Sequence, residues 1–501
     1  DFRRLNSRLY SSRDLIMFES GVGNPNNEWA VPDAVRSFVN NLHRAVSECH
    51  LNNIVDLYAI QYFKVTERFF KASPWPTADL IADRLQLDST FLILYRELYY
   101  RHLCNNRDCG ASISDRVAAY HNYLSLFDRL LKQSDSEPSL QLPGIWLWDL
   151  VHEFVLQKFA FDLATVSADH DELAELAANP TAWSLPVVLQ YLHAIVAKGR
   201  LPLQLNPDVD ATDSGDKGVG IAVSTRTLAY HALIALALVH MRLGDYQTAL
   251  DTLAPIESRR SSAMSKIFSL SSTMYYIVGY SSLMLQRFPD AVRSFSLLIA
   301  YAANSKASSV HRAHELASGF ASAVPLQDQA AALLAIALSV SPSSRVDESV
   351  LAIVKEEYAD EMLEMEVGAP EIVHRLFDYG SPVLLAEVGP HASEVRQARF
   401  AIFNRDISRR QFLNGIDLFL KLYTTIPIAK LASNMDRSDL MQQLLSRKTL
   451  AGSATSTLDF YIDGDDVHVT YTKPPLRHQE FFVRNVHKLN EMVRDVERIV
   501  A

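Results

Sequence analysis

Apolar residues recur at helical spacing through almost the whole chain, and alternation of the strand type is nearly confined to the last fifty residues. A sequence patterned this way folds as helices packed on helices, with one small sheet near its carboxyl end. In the stretch from Val39 to Lys71 the apolar positions fall three and four apart. SPWP (73–76) then breaks the helix, because Pro74 and Pro76 lack amide hydrogens and restrict the residues before them. FLILYRELYYRH (91–102) predicts a second helix, and Trp146, Trp148, Leu150, Val151 and Phe154 load a third with aromatic and aliphatic bulk. Polar, turn-rich stretches at 132–141 and 203–226 read as loops.

The middle of the chain repeats itself. Ala237 and Ala249 lie twelve apart in LAYHALIALALVHMRLGDYQTALDTL, and Gly279 and Ala291 have the same separation in MYYIVGYSSLMLQRFPDAVRSF, which sets a register of 42 residues. Small residues there let the two helices of a hairpin approach, and GDY and RFP mark the turns between them. The pattern predicts an irregular solenoid of tetratricopeptide-like hairpins, continued by the Ala-rich run 331–340.

Catalytic chemistry finds no foothold. The spaced glycines at 20–25 and 215–220 do not join a strand to a helix and lack the Lys-Ser/Thr pair of a phosphate-binding loop. His102, Cys104 and Cys109 supply three metal ligands where a closed zinc site needs four. Neither a zinc-protease HExxH nor a hydrolase GxSxG is present. The expectation is therefore a protein that is not an enzyme, with no catalytic residue, metal or cofactor. Cys49 with these two makes three cysteines, too few for a disulfide framework, which fits a reducing compartment. The formal charge of −10 argues against broad nucleic-acid binding.

Within 422–472 the chain reads as two short helices and a hairpin, the ingredients of a winged helix. Ile428 to Ala432 and Asp439 to Arg447 form the helices, with Leu431, Leu440, Leu444 and Leu445 expected to face inward. Leu458, Phe460 and Ile462 share one face of the first strand, and Val467, Val469 and Tyr471 one face of the second; Asp463 to Asp466 close the hairpin. From Asp436 to Lys473 six acids oppose four bases, so the wing would repel phosphate and is read as a protein-binding module using its strand edge. After Pro474 and Pro475, a helix from about His478 carries Phe482, Val486, Leu489, Val493, Val496 and Val500 at spacings of 4, 3, 4, 3 and 4. Such a seam suits a helix bundle made with other chains, although it could also pack on its own winged helix. A third candidate surface is EVRQARFAIFNRDISRR (394–410), where Arg396, Arg399, Arg405, Arg409 and Arg410 interleave with Phe400 and Phe403, either as an RNA contact or as a solvated helix face.

A solenoid, a winged helix and a projecting final helix together resemble the PCI-domain family. Within it, VTERFFKASPWPTADLIA (65–82), FLILYRELYYRH, LPGIWLWDLVHEF (142–154), LLAIALSVSPSSRVDESV (333–350), LFLKLYTTIPIAKLA (418–432) and DFYIDGDDVHV (459–469) resemble the L-subunit family of eukaryotic translation initiation factor 3. Segments 160–226 and 383–412 carry little of the likeness. The resemblance implies a mainly α fold in four parts: an N-terminal helical domain (1–225), TPR-like repeats (226–412), a winged helix (413–475) and a bundle helix (476–501). It implies a cytoplasmic, non-catalytic scaffold that binds neighbouring subunits, K and E foremost, and supports 43S pre-initiation complex assembly on the small ribosomal subunit. No membrane contact is expected. The alternatives are a scaffold subunit of a proteasome-lid or signalosome-type complex, or a subunit that touches RNA directly through 394–410.

Overall fold

The computed structural model describes residues 32–471, apart from 72, 86, 106–109, 133–139, 167, 169, 200–218, 258–266, 306–322, 343, 368–369, 436–439 and 451–457, together with 485, 486, 489 and 492. The amino-terminal part comprises α1 (Asp33–Ser47), α2 (Leu51–Asp56), a π-helical turn (Leu57–Gln61), α3 (Tyr62–Phe69), α4 (Ala78–Leu85), α5 (Ser89–Asn105) and α6 (Ile113–Lys132). It continues with α7 (Gly144–Val166), α8 (His170–Ala178) and α9 (Leu185–Lys198). The repeats follow as α10 (Val219–Leu243), α11 (Tyr246–Glu257), α12 (Phe268–Met284) and α13 (Phe288–Ser305), then α14 (Ala323–Val340), α15 (Glu348–Val367) and α16 (Pro370–Gly380). A 3₁₀ turn at Leu385–Glu387 leads into the long α17 (Ala392–Leu422). The winged helix consists of β1 (Thr425–Pro427), α18 (Ile428–Met435), α19 (Leu440–Leu450), β2 (Leu458–Asp463) and β3 (Asp466–Tyr471).

Helix α7 is the hub of the first half: Trp146, Trp148, Leu150, Val151, Phe154 and Val155 are all fully buried. A helix buried on every side loses its amphipathic stripe. From α10 onward, successive helices pack in chain order from α10 to α14, and α14 also packs on α15 and α16. Gly279 is small because the ring of Phe295 on α13 lies where a β-carbon would stand, 2.6 Å away. The 42-residue register also holds at the turns. Gly244 (φ 86°) and Gln286 (φ 60°) both take left-handed backbone, and each follows its helix with the same paired bonds, Gly244 N to Met241 O and Asp245 N to His240 O against Gln286 N to Leu283 O and Arg287 N to Ser282 O. That bonding caps a helix by the Schellman pattern. Helix α10 corrects the expected loop at 203–226, since it begins at Val219.

One apolar core runs from Val35 to Ile407, and a second, from Leu413 to Val467, belongs to the winged helix. Helix α17 serves both, giving Phe403 and Ile407 to the first and Leu413, Ile416 and Leu420 to the second. Asn414 between them donates to the carbonyl of Val340 at the end of α14, at 2.5 Å.

Candidate protein-interaction surfaces

In the winged helix Leu431, Leu440 and Leu444 point inward as the spacing predicts, whereas Leu445 is 56% exposed, one helical step round from Leu444. The sheet has three strands in the order β1–β3–β2. β1 has no counterpart in the sequence reading. It is three residues long, ends in Pro427, and pairs Ile426 with Val467. Its presence makes β3 the central strand and, among the described residues, leaves β2 at the edge of the sheet. The hairpin loop narrows to Gly464 and Asp465, because Asp463 pairs with Asp466. Gly464, at φ 60°, takes the first loop position of a type II′ turn.

The apolar faces of the two strands at the proposed edge, which carry Leu458, Phe460, Ile462, Val467, Val469 and Tyr471 in the sequence pattern, are turned mostly toward the winged helix's own core. Phe460 and Val467 are buried there, and Ile462 and Val469 pack against them. Leu458 and Tyr471 end the paired register. What β2 offers a neighbour is therefore its backbone edge and its outer face, where Tyr461 stacks on His468 at 5.0 Å beside exposed Asp459 and Asp463. Arg447, one of the four bases counted above, is buried against Asp417 with its guanidinium 5.5 Å from the Phe460 ring.

The arginine run lies on α17, and its members part company. Arg399 is buried, 2.8 Å from Glu387, and donates to the Tyr280 hydroxyl at 3.0 Å and the Pro382 carbonyl at 3.1 Å. It locks the repeat hairpin to the 3₁₀ turn and is not a surface contact. Arg396 is half-buried near Asp378 and Glu387. Phe403 stacks on Phe377 at 4.2 Å and Phe400 packs on His374 and Phe377, so the interleaved aromatics serve the core. Arg405, Arg409 and Arg410 are exposed.

Toward the carboxyl end, Val486, Leu489 and Met492 take helical backbone and are 53%, 56% and 49% exposed. Residues three and six apart cover about 120° of a helix circumference, so these form one stripe. Met492 was missed because the heptad count passes from Leu489 to Val493. Phe482, Val493, Val496 and Val500 lie outside the described residues. A groove of about 610 Å³ also opens between α11, α12 and α13, floored by Leu253, Met274 and Val278 and rimmed by Asp251, Arg287, Asp290 and Arg293. Among the described residues, no cluster of three or more His, Cys, Asp or Glu could hold a metal ion, and no helix is long and apolar enough to cross a membrane.

Stacked helical hairpins joined through one long helix to a small winged helix define a mainly α, helical-repeat protein. Within that class the chain belongs to the family of eukaryotic translation initiation factor 3 subunit L. It is 32% identical to the subunits of that name from Homo sapiens and Bos taurus over 94% of this chain and 91% of theirs, and 32% identical to the one from Danio rerio over 94% and 89%. Residues 115–489 match the family model described as Paf67, RNA polymerase I-associated factor PAF67.

Proposed function

We propose that this chain is a non-catalytic scaffold subunit of translation initiation factor 3, working in the cytoplasm to support assembly of the 43S pre-initiation complex on the small ribosomal subunit. The observation that carries this reading is the likeness to initiation-factor subunits along 94% of the chain. It favours this complex over a proteasome lid or signalosome. The attachment points in this reading are the stripe at Val486, Leu489 and Met492 and the open edge of β2, with subunits K and E as the neighbours. Exposed apolar side chains at consecutive helical steps gain free energy when another helix covers them. The edge of β2 can take a further strand through backbone hydrogen bonds.

Affinity purification of the tagged chain, followed by mass spectrometry, tests this. The expected co-purifying proteins are initiation factor 3 subunits and small-subunit ribosomal proteins; recovery of proteasome-lid or signalosome subunits in their place overturns it. Direct RNA contact is a narrower reading, now resting on Arg405, Arg409 and Arg410. A crosslinking map of the ribosome-bound complex with no RNA contact at these three removes it.

A further inference from the structure

Helices α5 and α7 enclose three carboxyl groups and one guanidinium in the same interior volume: Glu97, Arg101, Asp149 and Glu153, none more than 8% exposed. Arg101 pairs with Glu97 and lies 3.5 Å from Asp149. The π-helical turn carries Tyr58 into this cluster, where its hydroxyl donates to Asp149 at 2.6 Å, accepts from Arg101, and its ring stacks on Trp146 at 4.7 Å. Trp146 in turn donates its indole N–H to Glu97 at 3.2 Å. Glu97 and Asp149 thus each receive the guanidinium and a second donor. Glu153 receives the neutral amide of Gln157, at 2.8 Å.

With every carboxyl ionised the cluster would carry a net charge of −2 away from water. A buried carboxylate without its own cation ordinarily takes up a proton instead. Among the described residues, the other titratable groups that interact with Glu153 are Tyr62, Tyr123 and Cys104, acids that are neutral when protonated and bring no positive charge. Burial pushes the Glu153 carboxyl up to about 8 against the pull of Arg101, and the charges of Glu97 and Asp149 add to the rise. Glu97 is raised by burial too, but it holds the ion pair and the indole bond.

We propose that Glu153 carries a proton in the native protein at neutral pH, and that this proton latches the amino-terminal layer, α1 to α3, onto the α5–α7 scaffold. The layer is held at this point through Tyr58 on Asp149 and Arg101, and through Tyr62, whose hydroxyl donates to the Leu98 carbonyl at 3.0 Å. Loss of the Glu153 proton adds a second uncompensated negative charge beside Asp149 and Glu97. The attachment then loosens. A carboxyl raised in the fold binds a proton that the unfolded chain releases near pH 4, so its stabilisation is complete below about pH 4 and gone above about pH 8. The buried imidazoles of His152 and His231 impose the opposite slope, and theirs ends near pH 6.5. Of these buried groups, that leaves the interval from about 6.5 to 8 to Glu153.

Hydrogen exchange of the full chain, read in peptides covering 51–69 and corrected for the intrinsic rate at each pH, tests the proposal in wild type and Glu153→Gln. One proton linked to opening changes the opening constant by about tenfold per pH unit. Wild type is expected to lose protection there at about that rate between pH 6.5 and 8, and Glu153→Gln, which mimics the protonated form, to stay flat. Carbon-13 labelling of glutamate carboxyls in the wild type gives a second readout, independent of whether the variant folds: one resonance is expected to titrate near pH 8. Equal slopes in the two proteins, or no glutamate titrating above pH 6.5, would overturn the proposal.

Discussion

Arg399 and Arg405 stand six residues apart on one helix, and their surroundings give them different work. Arg399 is enclosed with Glu387, Tyr280 and the Pro382 carbonyl, whereas Arg405 reaches solvent and lies 3.8 Å from its neighbour Asp406. Removing one member of a buried ion pair strands the other, at a cost of about 3–5 kcal/mol. Arg399→Ala is therefore expected to lower unfolding stability by about that amount in urea titrations, while Arg405→Ala and Arg409→Ala stay within about 0.5 kcal/mol. Acid sensitivity is set at this scale as well. Burial pushes His152 down to about 4 and His231 down to about 3. The unfolded chain takes up these protons first, from about pH 6.5 downward, so their contribution is whole above that pH and is lost as pH falls through about 4 and then 3. Thermal melts between pH 4 and 7 are expected to show a shallower acid loss for His231→Gln than for wild type. In sequence the arginine run looks like one surface because a helix of that composition is uniform; Glu387, twelve residues before Arg399 and outside α17, gives no local signal of the pairing.

At the scale of elements, the two copies of the hairpin can be set against each other. Position 244 is glycine and position 286 glutamine, yet both adopt the same left-handed cap. A side chain there costs about 1–2 kcal/mol that glycine avoids. Gln286→Gly is expected to raise stability by about 1 kcal/mol and Gly244→Ala to lower it by a similar amount, both measured by thermal or urea unfolding. The hairpins were legible because small residues at matched positions and a polar turn leave a local, periodic trace. β1 left none, since three residues ending in proline are too few to show a period and their meaning depends on pairing with β3 forty residues later. The start of α10 was hidden for another reason: GVGIAVSTR is poor in helix formers, whereas the helix as a whole is held by packing against α7 and α9.

For the whole molecule, the arrangement joins a large helical body to a small sheet-bearing module through α17, whose residues are shared between two cores. Its mainly helical class and carboxyl-terminal winged helix could be read from periodicity alone. Which strand faces the winged helix keeps for itself could not, because an alternating strand shows that one face is buried without saying against what. The stripe at Val486 and Leu489 differs, since both are anticipated from the heptad and both are exposed. The most direct test replaces both with glutamate in the full-length chain and follows its sedimentation with small ribosomal subunits, checking the fold by circular dichroism and melting temperature. An unchanged melt and a shift of the variant from the ribosomal fractions to free protein are expected; normal co-sedimentation of the folded variant would contradict the scaffold role.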